Sequence, residues 1–394
     1  MRLLHLRPDH VRHGFDGRGA TSERSRHQRG DERQYLQVRC LSQYPFGNQD
    51  VQTIHQGEIV KLFAYSKQNE LQGAVADTAS ARTAQQGADI RYIAGGTTLI
   101  DLMKLNVETP DKLVDITGLP LDKIETTSDG GLCIGAMVRN SDLASHPYVQ
   151  SHYPVLSQAI LSGASAQLRN KATTGGNLLQ KTRCVYYRDT AFACNKREPG
   201  SGCAAIDGDH RNLAILGTSE HCIASNPSDM NVALMALEAQ IVIEGKDGKR
   251  IVPIADFYTL PGDTPHIETV LVPGDLITHV IVRGLAPGAR SLYLKLRDRA
   301  SYEFAVSSAA VIVEMHGDTI NDARFAMGGI GTKPWRVAEA EQIIKGKRGG
   351  ADGQATFKAA AARLLQGARP LKENSFKVEL AKRCLVHALT TVSS

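Results

Sequence analysis

Four of the seven cysteines in this chain lie close together in the sequence, where their thiolates can bind a metal or pair as disulfides. Nine, eight and eighteen residues separate Cys184, Cys194, Cys203 and Cys222. The sequence between them is irregular, rich in glycine and charged residues, and poor in apolar residues for a core. A segment of this composition needs a covalent or metal staple to stay folded, and four thiolates can provide one.

Three kinds of staple are open for these cysteines: an iron–sulfur cluster, a zinc ion or two disulfides. Zinc sites usually contain cysteines about two to four residues apart, and the stretch has no such pair. Two disulfides would leave Cys40, Cys133 and Cys384 as unpaired thiols. Four thiolates are the usual ligands of both [2Fe–2S] and [4Fe–4S] clusters. The spacing therefore favours a cluster and leaves zinc and disulfides as alternatives.

Two glycine pairs have the composition of phosphate-binding loops. The pair at 95–96 follows an apolar strand and precedes two threonines and a helix, and the pair at 175–176 lies between two threonines and an asparagine. Glycine lets backbone N–H groups approach an anion closely, and hydroxyl groups add hydrogen bonds. Neither glycine pair matches the G-x-G-x-x-G dinucleotide-binding fingerprint or a P-loop, and each pair taken alone can be an ordinary tight turn. Two such loops suit a diphosphate held between two lobes.

Ser228 and Asp229 come directly before an amphipathic helical pattern. Both residue types are common N-caps, so a capping role is expected for this pair. A carboxylate beside a nucleotide site can also accept a hydrogen bond from a sugar hydroxyl. Asp229 is therefore a candidate binding residue as well as a structural one.

The apolar periodicity predicts an α/β protein from residue 60 onward, with boundaries between its parts near 60, within 115–125 and near 285. The strand at 292–296 is expected to pair with the strand at 276–283 across the turn at Pro287–Gly288. The other predicted strands are 89–94, 113–116, 131–134, 240–244, 251–254, 309–315 and 322–327, and the predicted helices are 74–86, 98–105, 142–144, 155–165, 229–239, 337–345, 353–366 and 375–389.

The overall composition excludes several classes of protein. A length of 394 residues suggests two or three domains, and 42% hydrophobic with 22% charged residues is ordinary for a globular protein. No run reaches the roughly 18–20 apolar residues of a membrane-spanning helix, so we expect no direct membrane insertion. A scattered net charge of +5 and only 5% aromatic residues argue against nucleic-acid binding.

Residues 1–59 differ in character from the rest of the chain. They contain nine Arg, no Lys and five of the thirteen His, without helical or strand periodicity. We expect this segment to be disordered and to precede the natural start of translation, because codons for 56–60 can form a purine-rich ribosome site followed by a GTG start at Val60. A basic arm that binds an acidic partner is the alternative.

The motifs at 93–97, 172–178 and 227–229 together resemble the FAD-binding medium subunits of molybdenum hydroxylases, the family of carbon monoxide dehydrogenase and xanthine dehydrogenase flavoproteins. The resemblance covers about residues 60–394. Most members of this family lack the cysteine stretch. Because this chain contains it, the chain resembles more specifically the FAD subunits of bacterial periplasmic aldehyde oxidoreductases, in which this insertion holds a [4Fe–4S] cluster. That closer likeness also runs through 162–165, 168–170, 195–197, 199–203 and 297–302.

The resemblance implies a domain arrangement. A two-lobed FAD-binding domain of the PCMH type would span 60–284, with lobes at 60–118 and 119–284 and an iron–sulfur insertion at 183–223. A C-terminal domain of one β-sheet and several helices, as in carbon monoxide dehydrogenase flavoproteins, would span 285–394.

The resemblance also implies the cofactor ligands. Arg91 would lie near the adenosine, Asp229 would bind FAD hydroxyls, and Ile277 and Lys295 would line the flavin, where a cation stabilises the reduced anionic form. Cys184, Cys194, Cys203 and Cys222 would together hold one [4Fe–4S] cluster. The full FAD set is Arg91, Tyr92, Ile93, Ala94, Gly95, Gly96, Thr97, Thr98, Leu99, Ile100, Thr173, Thr174, Gly175, Gly176, Asn177, Asp229, Ile277 and Lys295.

The implied function is electron relay, with no residue of this chain acting as a catalyst on the organic substrate. A molybdenum-cofactor large subunit would oxidise an aldehyde, and a [2Fe–2S] small subunit would pass the electrons to FAD in a heterotrimer. The chain itself has no plant-type cluster motif, so both groups would belong to partners. Oxygen, a quinone or a ferredoxin-like protein would be the terminal acceptor.

Two alternative functions and a cellular location complete the expectations from the sequence. A self-sufficient FAD-dependent oxidase and a zinc-stapled, non-catalytic interaction protein are the rival functions. The resemblance implies a periplasmic complex exported on a partner's twin-arginine signal, and a cytoplasmic protein is the alternative because the chain shows no signal of its own.

Overall fold

Three β-sheets organise residues 61–394, the part of the chain that the computed structural model describes. The expectations for residues 1–59 lie outside the described residues, as does Cys40. The strands are β1 (Ala64–Lys67), β2 (Ile90–Ile93), β3 (Lys112–Asp115), β4 (Ile124–Thr126), β5 (Leu132–Gly135), β6 (Gln240–Gly245), β7 (Gly248–Pro253), β8 (Leu276–Val282), β9 (Arg290–Leu296), β10 (Ser307–His316) and β11 (Thr319–Gly328).

Helices cover the faces of these sheets and form most of the connections. The α-helices are α1 (Leu71–Ala79), α2 (Leu99–Lys104), α3 (Asn140–Ser145), α4 (Pro147–His152), α5 (Pro154–Ser162), α6 (Ala166–Arg169), α7 (Thr174–Leu178), α8 (Val185–Arg188), α9 (Ala204–Asp207), α10 (Asp229–Ala236), α11 (Ile254–Phe257), α12 (Ala338–Ile344), α13 (Gln354–Leu364) and α14 (Phe376–Ser393). Among the described residues, no helix is both long and apolar enough to span a membrane.

The first sheet is parallel and small, with strand order β1-β3-β2. Its central strand buries Leu113 and Val114, and Val114 packs with Ala74 and Val75 of α1. A parallel strand needs a crossover connection, which α1 and α2 help to provide. The carboxyl end of β2 therefore opens directly into the loop at 95–98.

The second sheet has the order β4-β5-β8-β6-β7, and all its neighbouring strands are antiparallel. A two-residue turn at Lys246 and Asp247 joins β6 to β7, and Gly248 follows with a φ of 100°. The main apolar core packs between this sheet and helices α5 and α10, and it includes the fully buried Tyr153 and Phe257. This sheet forms the scaffold of the second lobe.

The third sheet, β9-β10-β11, belongs to the C-terminal part of the chain and is antiparallel. Side chains of a strand alternate between faces. Accordingly, Ala309 and Val311 of β10 face the core formed with α12, α13 and α14, whereas Ala310 and Ile312 face α5 and α10. One sheet thus joins the C-terminal helices to the second lobe.

The predicted pairing between 276–283 and 292–296 is wrong. In the structure β9 pairs with β10, and both edges of β8 are already occupied by β5 and β6. The turn at Pro287–Gly288 therefore carries the chain from one sheet to the next, and it does not form a hairpin. The local turn signal was correct, but it could not reveal which long-range partners β8 would have.

The predicted helix at 74–86 starts and ends too late, since α1 ends at Ala79. Residues 80–88 instead fold against the segment 266–271. The buried Gln85 holds this turn, because its Nε2 donates to the carbonyls of Thr269 and Leu271 and its Oε1 accepts from the backbone of Glu268. Tertiary hydrogen bonds here override a strong helical composition.

Phe357 provides a test of the C-terminal core. It is fully buried in the cluster formed by α12, α13, α14 and the third sheet. We expect Phe357→Ala to lower the free energy of unfolding by about 3–5 kcal/mol, as is usual for a buried aromatic residue. Lys358, the adjacent exposed residue, provides the control. Lys358→Ala should change the free energy of unfolding by less than about 0.5 kcal/mol. Equal melting temperatures for the two variants would contradict this packing.

Candidate functional site

One continuous cavity runs between the first sheet and the second lobe and passes both glycine pairs. The loop after β2 supplies one wall, and the turn into α7 supplies another. The predicted FAD residues that line it are Arg91, Tyr92, Ile93, Ala94, Gly95, Gly96, Thr97, Thr98, Leu99, Thr173, Gly175, Gly176 and Ile277. The two loops, 80 residues apart in the sequence, thus face the same space.

The two loops approach each other so closely that one position must be glycine. A Cβ atom on Gly95 would lie 2.1 Å from the carbonyl oxygen of Lys171 and 3.1 Å from the Cα atom of Ala172. Real Cβ contacts of this length do not occur, and the obstacle is backbone, which cannot rotate away. The absent side chain at Gly95 therefore lets the first loop dock against the chain that leads into the second.

Gly96 and Gly176 are required for different reasons. Gly96 has a φ of 72°, a left-handed conformation that costs a side-chain-bearing residue energy. Gly176 lies in the first turn of α7, where its N–H donates to the Thr173 hydroxyl at 3.2 Å. A Cβ on Gly176 would contact only that hydroxyl, at 3.0 Å, so its open side faces the cavity. Bare backbone at this wall fits a bound diphosphate.

Arg91 lines the cavity but is already paired. Its guanidinium donates to both carboxylate oxygens of the buried Glu108 at 2.9 Å. Its Nε is buried and has no hydrogen-bond partner in the structure. Arg91 therefore lies at the cavity wall with its guanidinium held by Glu108, which fits the predicted position near an adenosine group.

Five predicted residues do not line this cavity. Ile100 is 43% exposed, and its side chain packs beside Gly96. The hydroxyl of Thr174 is buried and donates to the Val138 carbonyl, and the side-chain oxygen of Asn177 accepts from Ser228 at 2.6 Å. Asp229 and Lys295 are also absent from the lining of this cavity and bind each other.

Asp229 and Lys295 form a buried ion pair. The Lys295 ammonium donates to one Asp229 oxygen at 2.8 Å, and the Tyr293 hydroxyl donates to the other at 2.6 Å. Burial and the Asp229 charge raise the pKa of Tyr293 well above its ordinary value. The pair connects α10 to β9. Capping of α10 falls to Ser228, whose hydroxyl accepts from the backbone N–H of Asn231.

The four cysteines of 183–223 surround one small cavity. Cys184 precedes α8, Cys194 and Cys203 sit on facing backbone segments that form an antiparallel bridge, and Cys222 lies near the end of the stretch. The stretch buries more apolar surface than its sequence suggested, including the fully buried Tyr187. Its two ends, at Thr182 and Ala224, both line the glycine-lined cavity.

Three of the four thiols, those of Cys184, Cys194 and Cys222, are buried, and that of Cys203 is partly buried. Burial raises the pKa of the Cys184 thiol to about 12, although the backbone N–H groups of Tyr187 and Tyr186 act to lower it. Burial likewise raises the pKa of Cys203 and Cys222. Thiolates in this environment require a bound cationic group, and backbone N–H groups directed at sulfur suit such a site.

The rival staples fit the described residues less well. The cysteines of residues 61–394 are all free thiols. No group of three or more His, Cys, Asp or Glu side chains in that range lies close enough to bind a single ion. One tetrahedral zinc needs sulfurs at about 2.3 Å from the metal, whereas a four-iron cluster binds each thiolate through a different iron and spreads the sulfurs apart. Cys133 and Cys384 lie elsewhere, on β5 and α14.

Sequence reasoning missed the charged wall between the two cavities. Lys196, Cys222 and Ala224 line both of them. The Lys196 ammonium donates to one oxygen of Glu268 at 3.0 Å, and Lys181 binds the other oxygen. Burial acts to raise the pKa of Glu268, but Lys181 and Lys196 outweigh it and lower the pKa to about 2. These positions are 72 and 87 residues apart, and no sequence spacing links them.

Comparison with protein families identifies two matching regions. The FAD binding domain in molybdopterin dehydrogenase matches residues 63–282, and the CO dehydrogenase flavoprotein C-terminal domain matches residues 292–392. The first match ends with β8 and the second begins within β9, so the two matches lie on either side of the connection between these strands.

Individual relatives agree with these matches. The chain is 49% identical over 334 residues to the aldehyde oxidoreductase FAD-binding subunit PaoB of Escherichia coli (strain K12), covering 84% of this chain and 98% of the relative. It is 29% identical over 286 residues to the glyceraldehyde dehydrogenase medium chain of Sulfolobus acidocaldarius, covering 73% and 82%. Among solved structures, reconstituted CO dehydrogenase from Oligotropha carboxidovorans superimposes with a TM-score of 0.65 at 23% identity, covering 85% of this chain and 99% of that chain. The predicted mixed α/β fold with a C-terminal domain is confirmed.

The open side of Gly176 gives a direct test of the cavity. We expect Gly176→Val to abolish FAD binding, because its methyl groups would occupy the space beside the backbone that a diphosphate needs. Iron content should be unchanged, since Gly176 does not line the cysteine cavity. The measurement is the flavin and iron content per purified chain.

Gly288→Val is the matched control. Gly288 also has open space around it, with a φ of 79°, but it lies in the turn before β9 and not at the cavity. This variant should melt at a lower temperature and keep its flavin. Full flavin content in Gly176→Val would mean that the α7 turn does not contact the cofactor.

Proposed function

The chain belongs to the family of FAD-binding medium subunits of molybdenum hydroxylases, and we propose that it is the electron-transfer flavoprotein of an aldehyde oxidoreductase. The observation that carries the proposal is the cavity in which the glycine loops at 95–96 and 175–176 face each other. The 49% identity to an aldehyde oxidoreductase FAD-binding subunit supports the substrate class. As a member of this family, the chain is an oxidoreductase subunit.

The residues at the cavity have distinct tasks in binding FAD. Backbone N–H groups of the two glycine loops would hold the diphosphate, and Arg91, held by Glu108, would lie near the adenosine end. Ile277 and Leu276 supply an apolar wall that excludes water. Bound FAD would supply the chemistry of accepting two electrons and releasing them, and no side chain of this subunit needs to act on the aldehyde.

The Asp229–Lys295 pair would act on the bound flavin. The resemblance implies that both residues lie near the cofactor, and their contacts with Tyr293 and with each other hold them in fixed positions. A lysine held by a carboxylate offers a steady positive charge to a reduced, anionic flavin. This remains a proposal about residues that do not line the glycine-lined cavity.

Substrate oxidation would take place on partner subunits. A molybdenum-cofactor large subunit would oxidise the aldehyde, and a [2Fe–2S] small subunit would carry the electrons to this chain in a heterotrimer. Relatives named as medium chains or FAD-binding subunits support such an assembly. Oxygen, a quinone or a ferredoxin-like protein would then take the electrons from the flavin.

We further propose that Cys184, Cys194, Cys203 and Cys222 hold a [4Fe–4S] cluster. Their common cavity and the backbone N–H groups directed at Cys184 support this ligand set. Four thiolates complete the coordination of the four irons without any histidine or carboxylate.

For location, we propose a periplasmic complex that is exported in folded form with its partners. The motivation is the likeness of the cysteine stretch to that of periplasmic aldehyde oxidoreductases. Fractionation of cells that express the chain with and without its partners tests this proposal. Periplasmic recovery of the chain expressed alone would contradict carriage by a partner.

Co-purification distinguishes the proposed electron-relay function from the two alternative functions. The relay predicts a chain that purifies with two other subunits and carries both flavin and iron. A self-sufficient oxidase would purify alone, with flavin, and would oxidise its substrate unaided. A zinc-stapled interaction protein would carry zinc and no flavin.

Replacement of one cysteine tests the cluster. We expect the native chain to contain about four iron atoms and Cys194→Ser to lose them, because a four-iron cluster needs all its thiolates. The FAD domain has its own core, so flavin content should not change. Limited proteolysis should then cut within 183–223. The measurements are metal analysis and mapping of the cleavage sites.

Cys133→Ser is the control for this experiment. Cys133 is partly buried on β5 and does not face the cysteine cavity, so iron content should stay at the native level. About two irons per native chain would indicate a [2Fe–2S] site, and one zinc without iron would refute the cluster.

A further inference from the structure

We propose that Lys196 is a cation shared by the flavin cavity and the four-cysteine site, and that it sets the reduction potentials of both groups. The proposal rests on the proposed function, because it assumes that the two cavities hold FAD and an iron–sulfur cluster. Lys196 is a positioning residue in this scheme: it carries no electron and forms no bond to substrate.

The position of Lys196 is the first support. Its side chain is 9% exposed and belongs to the walls of both cavities. Its ammonium donates to the carbonyl of Pro265 at 2.9 Å and to Glu268 at 3.0 Å. The contact with Pro265 anchors the charge to a second segment of backbone. A flexible lysine is thereby held at one place between the two sites.

The charge balance of the wall is the second support. Glu268 lies between Lys196 and Lys181 and binds both, so two ammonium groups and one carboxylate leave a net charge of +1. Gln85 fixes the carboxylate from behind by accepting the backbone N–H of Glu268 at 3.1 Å.

The surroundings of the cysteine cavity give the third support. Of the described residues that line it, Lys196 is the one that carries a permanent positive charge; His221 is half exposed and faces Asp263. Four thiolates make a cluster anionic, and each electron that it accepts adds another negative charge. In a buried site, where screening by water is weak, a nearby ammonium stabilises that more negative state.

Lys181 differs from Lys196 in a useful way. It binds the same carboxylate but lines only the glycine-lined cavity. Loss of Lys181 should therefore act mainly on the flavin, whereas loss of Lys196 should act on both groups. Lys181→Met is therefore a matched control for Lys196→Met.

The experiment uses the complete complex with Lys196→Met, Glu268→Gln or Lys181→Met in this chain. The cluster potential is followed by electron paramagnetic resonance and the flavin potential by visible absorbance during a dithionite titration. Lys196→Met removes one positive charge and should shift both potentials to more negative values. Glu268→Gln removes the negative charge and should shift both to more positive values. Lys181→Met should lower the flavin potential and change the cluster potential less.

The opposite signs distinguish electrostatics from structural damage. A purely structural role would produce cluster loss, or shifts in the same direction, in both Lys196→Met and Glu268→Gln, and this result would overturn the proposal. Lys196→Arg retains the charge and should keep native potentials. If Lys196→Met does not fold, a positive shift in Glu268→Gln still supports the proposal and its absence overturns it.

Failure of the proposed function has a different signature. A native complex without iron would refute the cluster itself, and this inference with it, before any variant is compared. A native complex with iron and flavin whose potentials are the same in all three variants would overturn only the role of Lys196.

Discussion

The contact between Gly95 and the Lys171 carbonyl is the constraint on which the rest of the site depends. Without a Cβ at residue 95, the loop after β2 lies directly against the chain that enters α7. This contact places two glycine turns from different lobes on one cavity. The surrounding sheets serve to hold that approach: the parallel sheet carries the first loop, and the five-stranded sheet, through β5 and the backbone at Ala136, supports the second.

Local features of the sequence were informative where short-range chemistry decides structure. Both glycine loops, the cap by Ser228 and nearly all the long strands could be predicted, because turn residues and apolar periodicity act over a few positions. The partner of β9 could not, since a turn signal does not say that β8 is already paired on both edges. The Glu268 network also escaped prediction, because its three members come from distant segments that meet only after folding.

The Asp229–Lys295 pair shows why residue type alone underdetermines a role. Both residues were candidates for cofactor contact, and the fold gives each a structural partner at the junction of α10 and β9. A buried pair of this kind keeps both side chains in one orientation, since separating them would leave an uncompensated charge. Tyr293 adds a third contact that fixes the carboxylate. Any action on a cofactor would then come from a preorganised charge, with its geometry set by packing between the lobe and the C-terminal sheet.

The residues that flank the cysteine stretch, Thr182 and Ala224, both border the glycine-lined cavity. Residues 183–223 contribute no strand to any of the three sheets. A segment that adds no strand leaves the pairing within the sheets unchanged, so it is a module added to the host fold. Because both flanking residues border the glycine-lined cavity, this module lies beside the proposed cofactor site.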